Sequence, residues 1–178
     1  MEVLISETRI QERIEVLARQ ISADYQDRRV TIVGVLTGCL MFLADLVRRL
    51  DLPLRIAWIQ ASSYRGATTA PGILRVQPET IPDVRGRHVL LIDDILDTGQ
   101  TLSCLVDHLR GLDLLSLRTA VLLRKRGRQT VPFEPDYFGF EIPDAFVVGY
   151  GLDYDDEYRH LPYVAVLPPP PTVPVLEL

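Results

Sequence analysis

Three carboxylates, Asp93, Asp94 and Asp97, stand at or just ahead of Thr98, Gly99, Gln100 and Thr101, and residues of these types in this order can do chemistry. A helix opening at the end of the run leaves its first backbone N–H groups unpaired at the positive end of the helix dipole, which favours a phosphate. Gly99 lets the backbone come close to such a group, and the Thr98 and Thr101 hydroxyls add donors. Asp93 and Asp94 cannot sit on that phosphate; they suit hydroxyl groups or a divalent cation. A sugar phosphate satisfies both halves of the run. The plainer alternative is an acidic strand end followed by a Thr-capped helix. Because receiver domains and phosphatases also end strands in carboxylates, Asp93 and Asp94 alone do not separate the two readings.

The elements that must position these residues lie on either side. His88 to Ile92 is too short and too apolar for an exposed helix, so it reads as a strand buried on both faces, and Leu102, Leu105, Val106 and Leu109 resume at helical spacing. The same pattern occurs earlier: Val30 to Leu36 reads as a strand, Thr37-Gly38 breaks it, and Phe42, Leu43, Leu46, Val47 and Leu50 mark a second amphipathic helix. Any strand-to-helix turn favours a glycine, so that second turn is by itself a weak sign of a ligand. A first helix, with Ile10, Ile14, Leu17, Ala18 and Ile21 on one face, runs from the N-cap Ser6 to about Tyr25. Further strands are expected over residues 54–60, 73–76, 115–123, 137–142, 147–149 and 163–167. The small polar stretch after Ala61 carries Tyr64 and Arg65, which suits a lid more than a linker. Arg124-Lys125-Arg126 follows the strand at 115–123, and alone it reads as a solvated loop. Strands alternating with helices give an α/β fold with a mostly parallel sheet, and such sheets bind ligands at the carboxyl ends of their strands.

Composition bounds the rest. With 178 residues, 47% hydrophobic and 24% charged, the chain forms one globular domain over residues 1–167, with a Pro-rich extended tail at 168–178. A net charge of −5 and a pI near 5.2 argue against broad contact with nucleic acid or a membrane, so an anionic substrate must be held locally. Cys39 and Cys104 are too few for a disulfide framework, and no run is long and apolar enough for a membrane span; a reducing cytoplasm is the expected setting.

The run from His88 to Leu102, a hydrophobic strand, two acidic residues, two variable ones and D-T-G-x-T, resembles the phosphoribosyl pyrophosphate signature of type I phosphoribosyltransferases. Four further stretches sharpen the likeness: Val33 to Leu50, Ser62 to Thr69, Arg124 to Arg126, and Asp136 to Leu167. Together they resemble the hypoxanthine-guanine phosphoribosyltransferases of purine salvage, over nearly everything from Val33 to Leu167. The segment from Phe138 to Leu161 distinguishes this family, whose specific parts build a small purine-binding hood.

The resemblance implies a type I phosphoribosyltransferase fold, phosphoribosyl pyrophosphate and a six-oxo purine as substrates, Mg²⁺ as cofactor, and a homodimer or homotetramer. It puts Asp97, Thr98, Gly99, Gln100 and Thr101 on the 5′-phosphate, Asp93 and Asp94 on the ribose hydroxyls and the metal, and Asp97 also in the place of the general acid or base. Leu36, Thr37 and Gly38 match the pyrophosphate loop, often with a non-proline cis peptide, and Arg159 reaches the same group. Lys125 matches the donor to the six-position oxygen. Phe146 stacks on the base, the Val147 carbonyl accepts from it, and Asp153 lies beside it and holds Mg²⁺. Ser63 and Tyr64 fall in the lid, at about 61–75. Two positions depart from the family: Thr37 stands where Lys is common, and Asp93 is one methylene shorter than the frequent Glu. Two other classes are open to this fold or this acidic cluster. A transcription-regulating sensor would need a DNA-binding part or a basic face, and an acyl-phosphate receiver would leave the D-T-G-x-T run unexplained.

Overall fold

The computed structural model describes residues 1–63, 74–76 and 82–168. In chain order the elements are β1 (Glu2–Ile5), α1 (Glu7–Asp24), β2 (Val30–Leu36), α2 (Leu40–Val47), β3 (Leu54–Ser63), β4 (Leu74–Val76), β5 (His88–Leu96), α3 (Gln100–Arg110), β6 (Ser116–Lys125), β7 (Tyr137–Ile142), β8 (Val147–Val148) and β9 (Val164–Val166). The main sheet has the order β4-β3-β2-β5-β6-β7. Its pairs are parallel except β3 with β4, which matches the expected mostly parallel α/β architecture.

Strand β5 is apolar throughout its first half because both of its faces are covered. Leu90 and Ile92 join the core beneath α1 and α2, while Val89 and Leu91 join the one beneath α3. The helices supply complementary stripes: Ile10, Ile14, Leu17, Ala18 and Ile21 from α1, and Leu102, Leu105, Val106 and Leu109 from α3, are all buried. Each such large side chain contributes about 1.5–3 kcal/mol on burial, so the two stripes fix the helices on opposite faces of the sheet. Ser6 caps α1 as expected, its side chain accepting from the Arg9 N–H.

Several boundaries differ from the sequence reading, each for a physical reason. Strand β5 runs on to Leu96, so Asp93 and Asp94 lie within the strand, paired beside β6 through Asp93 and Val121. Strand β6 starts at Ser116 and continues through Arg124 and Lys125, which pair with Glu141 and Ile142 of β7. These two cations are therefore sheet residues, and the solvated-loop reading of them is wrong. Helix α2 is shorter than its apolar pattern suggested, ending at Val47, because Arg48 and Arg49 close a turn back onto Leu46.

Strand β1 was not anticipated. It is a four-residue run just before a capped helix, and it is strand only because it pairs with β9, far away in the chain. With β8 on the other side of β9, it completes a three-stranded antiparallel hood at the carboxyl end of the main sheet. Ser63 ends β3, while Tyr64 and most of the expected lid, like the tail beyond Pro168, lie outside the described residues.

Candidate functional site

Both strand-to-helix turns open onto one cavity of about 670 Å³ at the carboxyl ends of β2 and β5. Its wall includes Leu36, Thr37, Gly38, Asp93, Asp94, Asp97, Thr98, Gly99, Thr101, Asp153 and Arg159, all singled out from the sequence, together with Asp156, which was not. Gln100, Lys125, Phe146 and Val147 are not on this wall.

The turn after β5 is shaped by Gly99, whose φ of +85° is left-handed backbone open to glycine at little cost. A Cβ there would also stand 2.8 Å from the Val131 carbonyl oxygen. Gly99 is the N-cap of α3 and has no side chain to cap it, but the Thr98 hydroxyl accepts from the Gln100 N–H at 3.4 Å, so a Thr contact at the helix start, as in the plainer reading, is present. The other N–H groups of the first turn can attract an anion.

The turn after β2 is built differently. The Leu36–Thr37 peptide is cis, as the family resemblance implied. Gly38 is needed for space: a Cβ would lie 1.8 Å from Asp94 Oδ2. From above, Gly151, with φ of +102°, brings its Cα so close that a Cβ would be 2.1 Å from the Gly38 carbonyl oxygen. The hood therefore clamps the turn backbone to backbone. Gly151 also accepts from Arg159 Nη1 at 2.8 Å and donates its N–H to the Arg159 carbonyl at 2.9 Å, which anchors that arginine at the cavity.

Asp93 and Asp94 carry the sharpest electrostatic feature. Burial, then the adjacent Asp94 charge, pushes the Asp93 carboxyl well above the usual carboxylate range. Burial raises Asp94 as well, against hydrogen bonds from Asp93 and from backbone N–H groups and against the charge of Arg159. Among these is the bond from the Ile95 N–H to Asp94 Oδ1 at 2.8 Å, while the Asp94 N–H donates to Asp93 Oδ1 at 3.0 Å. Two carboxylates so placed favour a cation or donor hydroxyls between them and the cavity. Asp153 pairs instead with Arg159 Nη2 at 2.8 Å, and Asp156 with the same group at 3.1 Å. Among the described residues no three carboxylate, histidine or cysteine side chains form a metal cage, so Asp93, Asp94 and Asp153 line one cavity without making a closed site. A Mg²⁺ ion fits that donor set, because it binds through one or two carboxylates and otherwise keeps water and substrate phosphate oxygens.

Beyond Asp97 lies a second region. Lys125 is buried at the end of β6, with Nζ 3.2 Å from Asp97 Oδ2 and 4.0 Å from Asp144 Oδ1. Arg128 Nε reaches the other Asp97 oxygen at 3.1 Å. Phe146 stays 45% exposed and meets Tyr154 edge to face at 5.7 Å, leaving aromatic surface open to a flat ligand. Val147 is buried in β8 opposite Val166. Arg128, Gly151, Tyr154 and Asp156 were missed from the sequence. The repeated glycines around Tyr150 and the fourth cation two residues past Arg126 were the available signals.

Comparison with known proteins agrees with this geometry. The phosphoribosyl transferase domain model matches residues 6–155. The hypoxanthine-guanine phosphoribosyltransferase of Streptococcus pneumoniae is 41% identical over 165 residues, covering 93% of this chain and 92% of that protein. The bifunctional protein TilS/HprT of Listeria innocua is 43% identical over 167 residues; these cover 94% of this chain but only 26% of that longer protein. A crystal structure of a hypoxanthine phosphoribosyltransferase from Staphylococcus aureus superposes with a TM-score of 0.88 at 40% identity, covering 94% of this chain and 91% of the other. A glycine-started helix, an adjacent acidic pair and a tightly packed turn around one cavity, in a sequence this similar along nearly its whole length, make the chain a member of the hypoxanthine-guanine phosphoribosyltransferase family.

Proposed function

We propose that the chain transfers the 5-phosphoribosyl group from phosphoribosyl pyrophosphate to a six-oxo purine, hypoxanthine or guanine or both, giving the nucleoside monophosphate and pyrophosphate in purine salvage. The observation that carries this is the single cavity on which a glycine-started helix, an adjacent carboxylate pair and Arg159 converge. Residues 97–101 hold the 5′-phosphate, Asp93 and Asp94 the ribose hydroxyls, and the turn at 36–38 with Arg159 the pyrophosphate. Lys125 donates to the six-position oxygen, Phe146 stacks on the base, and the Val147 carbonyl accepts from it. Ser63 and Tyr64 belong to the lid.

As the bond to pyrophosphate lengthens, the ribose carbon becomes oxocarbenium-like and negative charge gathers on the leaving group. Asp97 lies beside Lys125, at 3.2 Å, so a carboxylate able to exchange a proton with the purine ring adjoins the donor that orients that ring. Arg159 and the turn N–H groups stabilise the departing charge. Asp93, Asp94 and Asp153 would hold Mg²⁺, which would add positive charge at the pyrophosphate. Asp93 and Asp94 orient the sugar and transfer no proton.

The reading includes a cytoplasmic enzyme acting as a homodimer or homotetramer, without nucleic-acid or membrane partners. No described helix is long and apolar enough to cross a membrane. The test is direct: with Mg²⁺, phosphoribosyl pyrophosphate and hypoxanthine the protein forms inosine monophosphate, and with adenine it forms little or no product. Adenine presents an amino group to Lys125, and an unpaired buried donor costs about 1–3 kcal/mol. Absence of product from hypoxanthine, guanine and xanthine alike would sink the proposal.

A further inference from the structure

We infer that Arg128 is a positioning residue that keeps the Asp97 carboxylate aimed while Lys125 changes partner. This rests on the proposed roles of Asp97 and Lys125. The segment that follows β6 is fastened to the phosphate turn. The Thr130 and Val131 N–H groups both donate to the Thr98 carbonyl, at 2.9 and 3.2 Å, and Gln100 Nε2 donates to Thr130 Oγ1 at 3.2 Å. Arg128 is carried by that fastened segment. It donates through Nε to Asp97 Oδ1 at 3.1 Å, while Lys125 Nζ is 3.2 Å from Oδ2. The two oxygens of one carboxylate are thus divided between two cations of different character.

The division matters because only one of the two cations has another task. A lysine ammonium is a compact charge on a flexible stem, whereas a guanidinium is a planar group that fixes the direction of the hydrogen bonds it donates. When a six-oxo purine enters, Lys125 turns a donor to the ring oxygen and its hold on Asp97 loosens. A carboxylate held by Lys125 alone would then rotate freely. Arg128 retains the second oxygen, and Asp144, whose Oδ1 lies 3.5 Å from Arg128 Nε and 4.0 Å from Lys125 Nζ, adds a second carboxylate beside both cations. Misplacing a reacting group by about 1 Å costs roughly 10²-fold, so a partial loosening of Asp97 is a kinetic defect with little effect on stability. Arg128 is 46% exposed at its side chain, and exposed ion pairs contribute little to folding.

The experiment uses the whole chain and compares wild type with Arg128→Met and Arg128→Lys. It measures the single-turnover rate of inosine monophosphate formation, the affinity for phosphoribosyl pyrophosphate, and the melting temperature. Arg128→Met should slow the single-turnover step by about tenfold or more, within the range that general acid–base help supplies. Affinity for phosphoribosyl pyrophosphate should stay within about twofold and melting within about 2 °C. Arg128→Lys, which restores the charge without the guanidinium's fixed donor direction, should recover only part of the rate. In an Asp97→Asn background, Arg128→Met should cost nothing further, because a residue acting through Asp97 has no effect once that carboxylate is gone. An unchanged rate in Arg128→Met, losses that multiply in the double variant, or a loss confined to phosphoribosyl pyrophosphate affinity would each overturn the inference. Wild-type inactivity would overturn the proposed function itself, whereas active wild type with equally active Arg128→Met would overturn this inference alone.

Discussion

The turns after β2 and β5 share a sequence pattern, strand, polar turn with glycine, helix, yet their glycines serve different needs. Gly99 adopts a positive φ and begins an eleven-residue helix held down by four buried apolar side chains. Gly38 is not among the glycines of positive φ; its hydrogen makes room for the Asp94 carboxylate. The supports differ in kind as well. The second turn rests on α3's apolar stripe and on backbone bonds from Thr130 and Val131 to Thr98. The first rests likewise on Phe42, Leu43 and Leu46 of α2, and adds a polar brace in which Asp45 of α2 accepts from Tyr150 of the hood and from Gln11 of α1, and Arg49 donates to Gln11 at 2.7 Å. Over an apolar base in both cases, one turn is a matter of conformation and the other a matter of proximity within a polar brace.

The largest effect should follow from filling the space beside Asp94. Gly38→Ala places a Cβ where the carboxylate now stands, and the neighbour that must yield is a half-buried side chain hydrogen-bonded to backbone. Turnover should fall by at least about 10²-fold, since displacement on the scale of 1 Å at the reacting centre costs that much. Steady-state kinetics check it; near-normal turnover would mean that proximity is not what this glycine provides. Gly99→Ala should act more on folding. A left-handed backbone at a non-glycine residue costs about 1–2 kcal/mol, and the Cβ also crowds the Val131 carbonyl. Lower urea stability with a raised KM for phosphoribosyl pyrophosphate is the expected pair of results, and a KM defect without a stability loss would erase the contrast between the two glycines.

The two supports should also part company in acid. Burial pulls the Asp45 carboxyl up, but hydrogen bonds from Gln11 and Tyr150 and the charges of Arg48 and Arg49 outweigh it, holding the group below its ordinary value of 3.8. Because the folded value lies below the unfolded one, the stabilisation is complete above the unfolded value and fades as pH falls toward the folded one. Asp45 is 16% exposed at its side chain, and hydrogen bonds to a charged group contribute about 1.5–3 kcal/mol, so Asp45→Asn should destabilise the protein by that order at neutral pH. Urea titrations of wild type and variant should converge below about pH 4, near the ordinary carboxyl value. A gap that stays constant into acid would show that the brace does not depend on the carboxylate's charge.

What could be seen in the sequence followed from periodicity and local chemistry. The strands at Val30 and His88, the faces of α1 and α3, and the run from Asp93 to Thr101 are local statements, and all of them stand in the fold. The strand role of Lys125 was hidden, because three consecutive cations look solvated until β7 is found to pair alongside. Strand β1 was hidden for the same reason, since its partner β9 is distant. Gly151 and Arg128 act on groups that only the fold brings near, the Gly38 carbonyl and the Asp97 carboxylate. Motif spacing can identify residues that meet a ligand together; residues that steady those residues need the tertiary contact.

The smallest effect is expected where the sequence departs from its family. Thr37 is exposed at the rim of the cavity, and its carbonyl accepts from the Leu40 N–H at 3.1 Å, so the backbone of the turn is fixed without help from the side chain. Gly38 sets the close approach, Gly151 clamps it from the hood, and Arg159 stands on the same wall as a cation. If backbone N–H groups hold the pyrophosphate, Thr37→Lys adds a charge at a rim already served by Arg159, and the pyrophosphate inhibition constant should change by only a few fold. If the lysine common in the family was itself the main contact, restoring it would add a charge-assisted bond of about 1.5–3 kcal/mol, a tightening of ten- to a hundredfold. Screening separates the two further, because an exposed charge loses most of its pull within a Debye length of about 8 Å at physiological salt. The measurement is the inhibition constant of pyrophosphate for wild type and Thr37→Lys at low and high salt. A gain of a few fold that disappears with salt supports the backbone account, and a salt-resistant tightening of tenfold or more would transfer this part of the site from the turn's shape to the missing side chain.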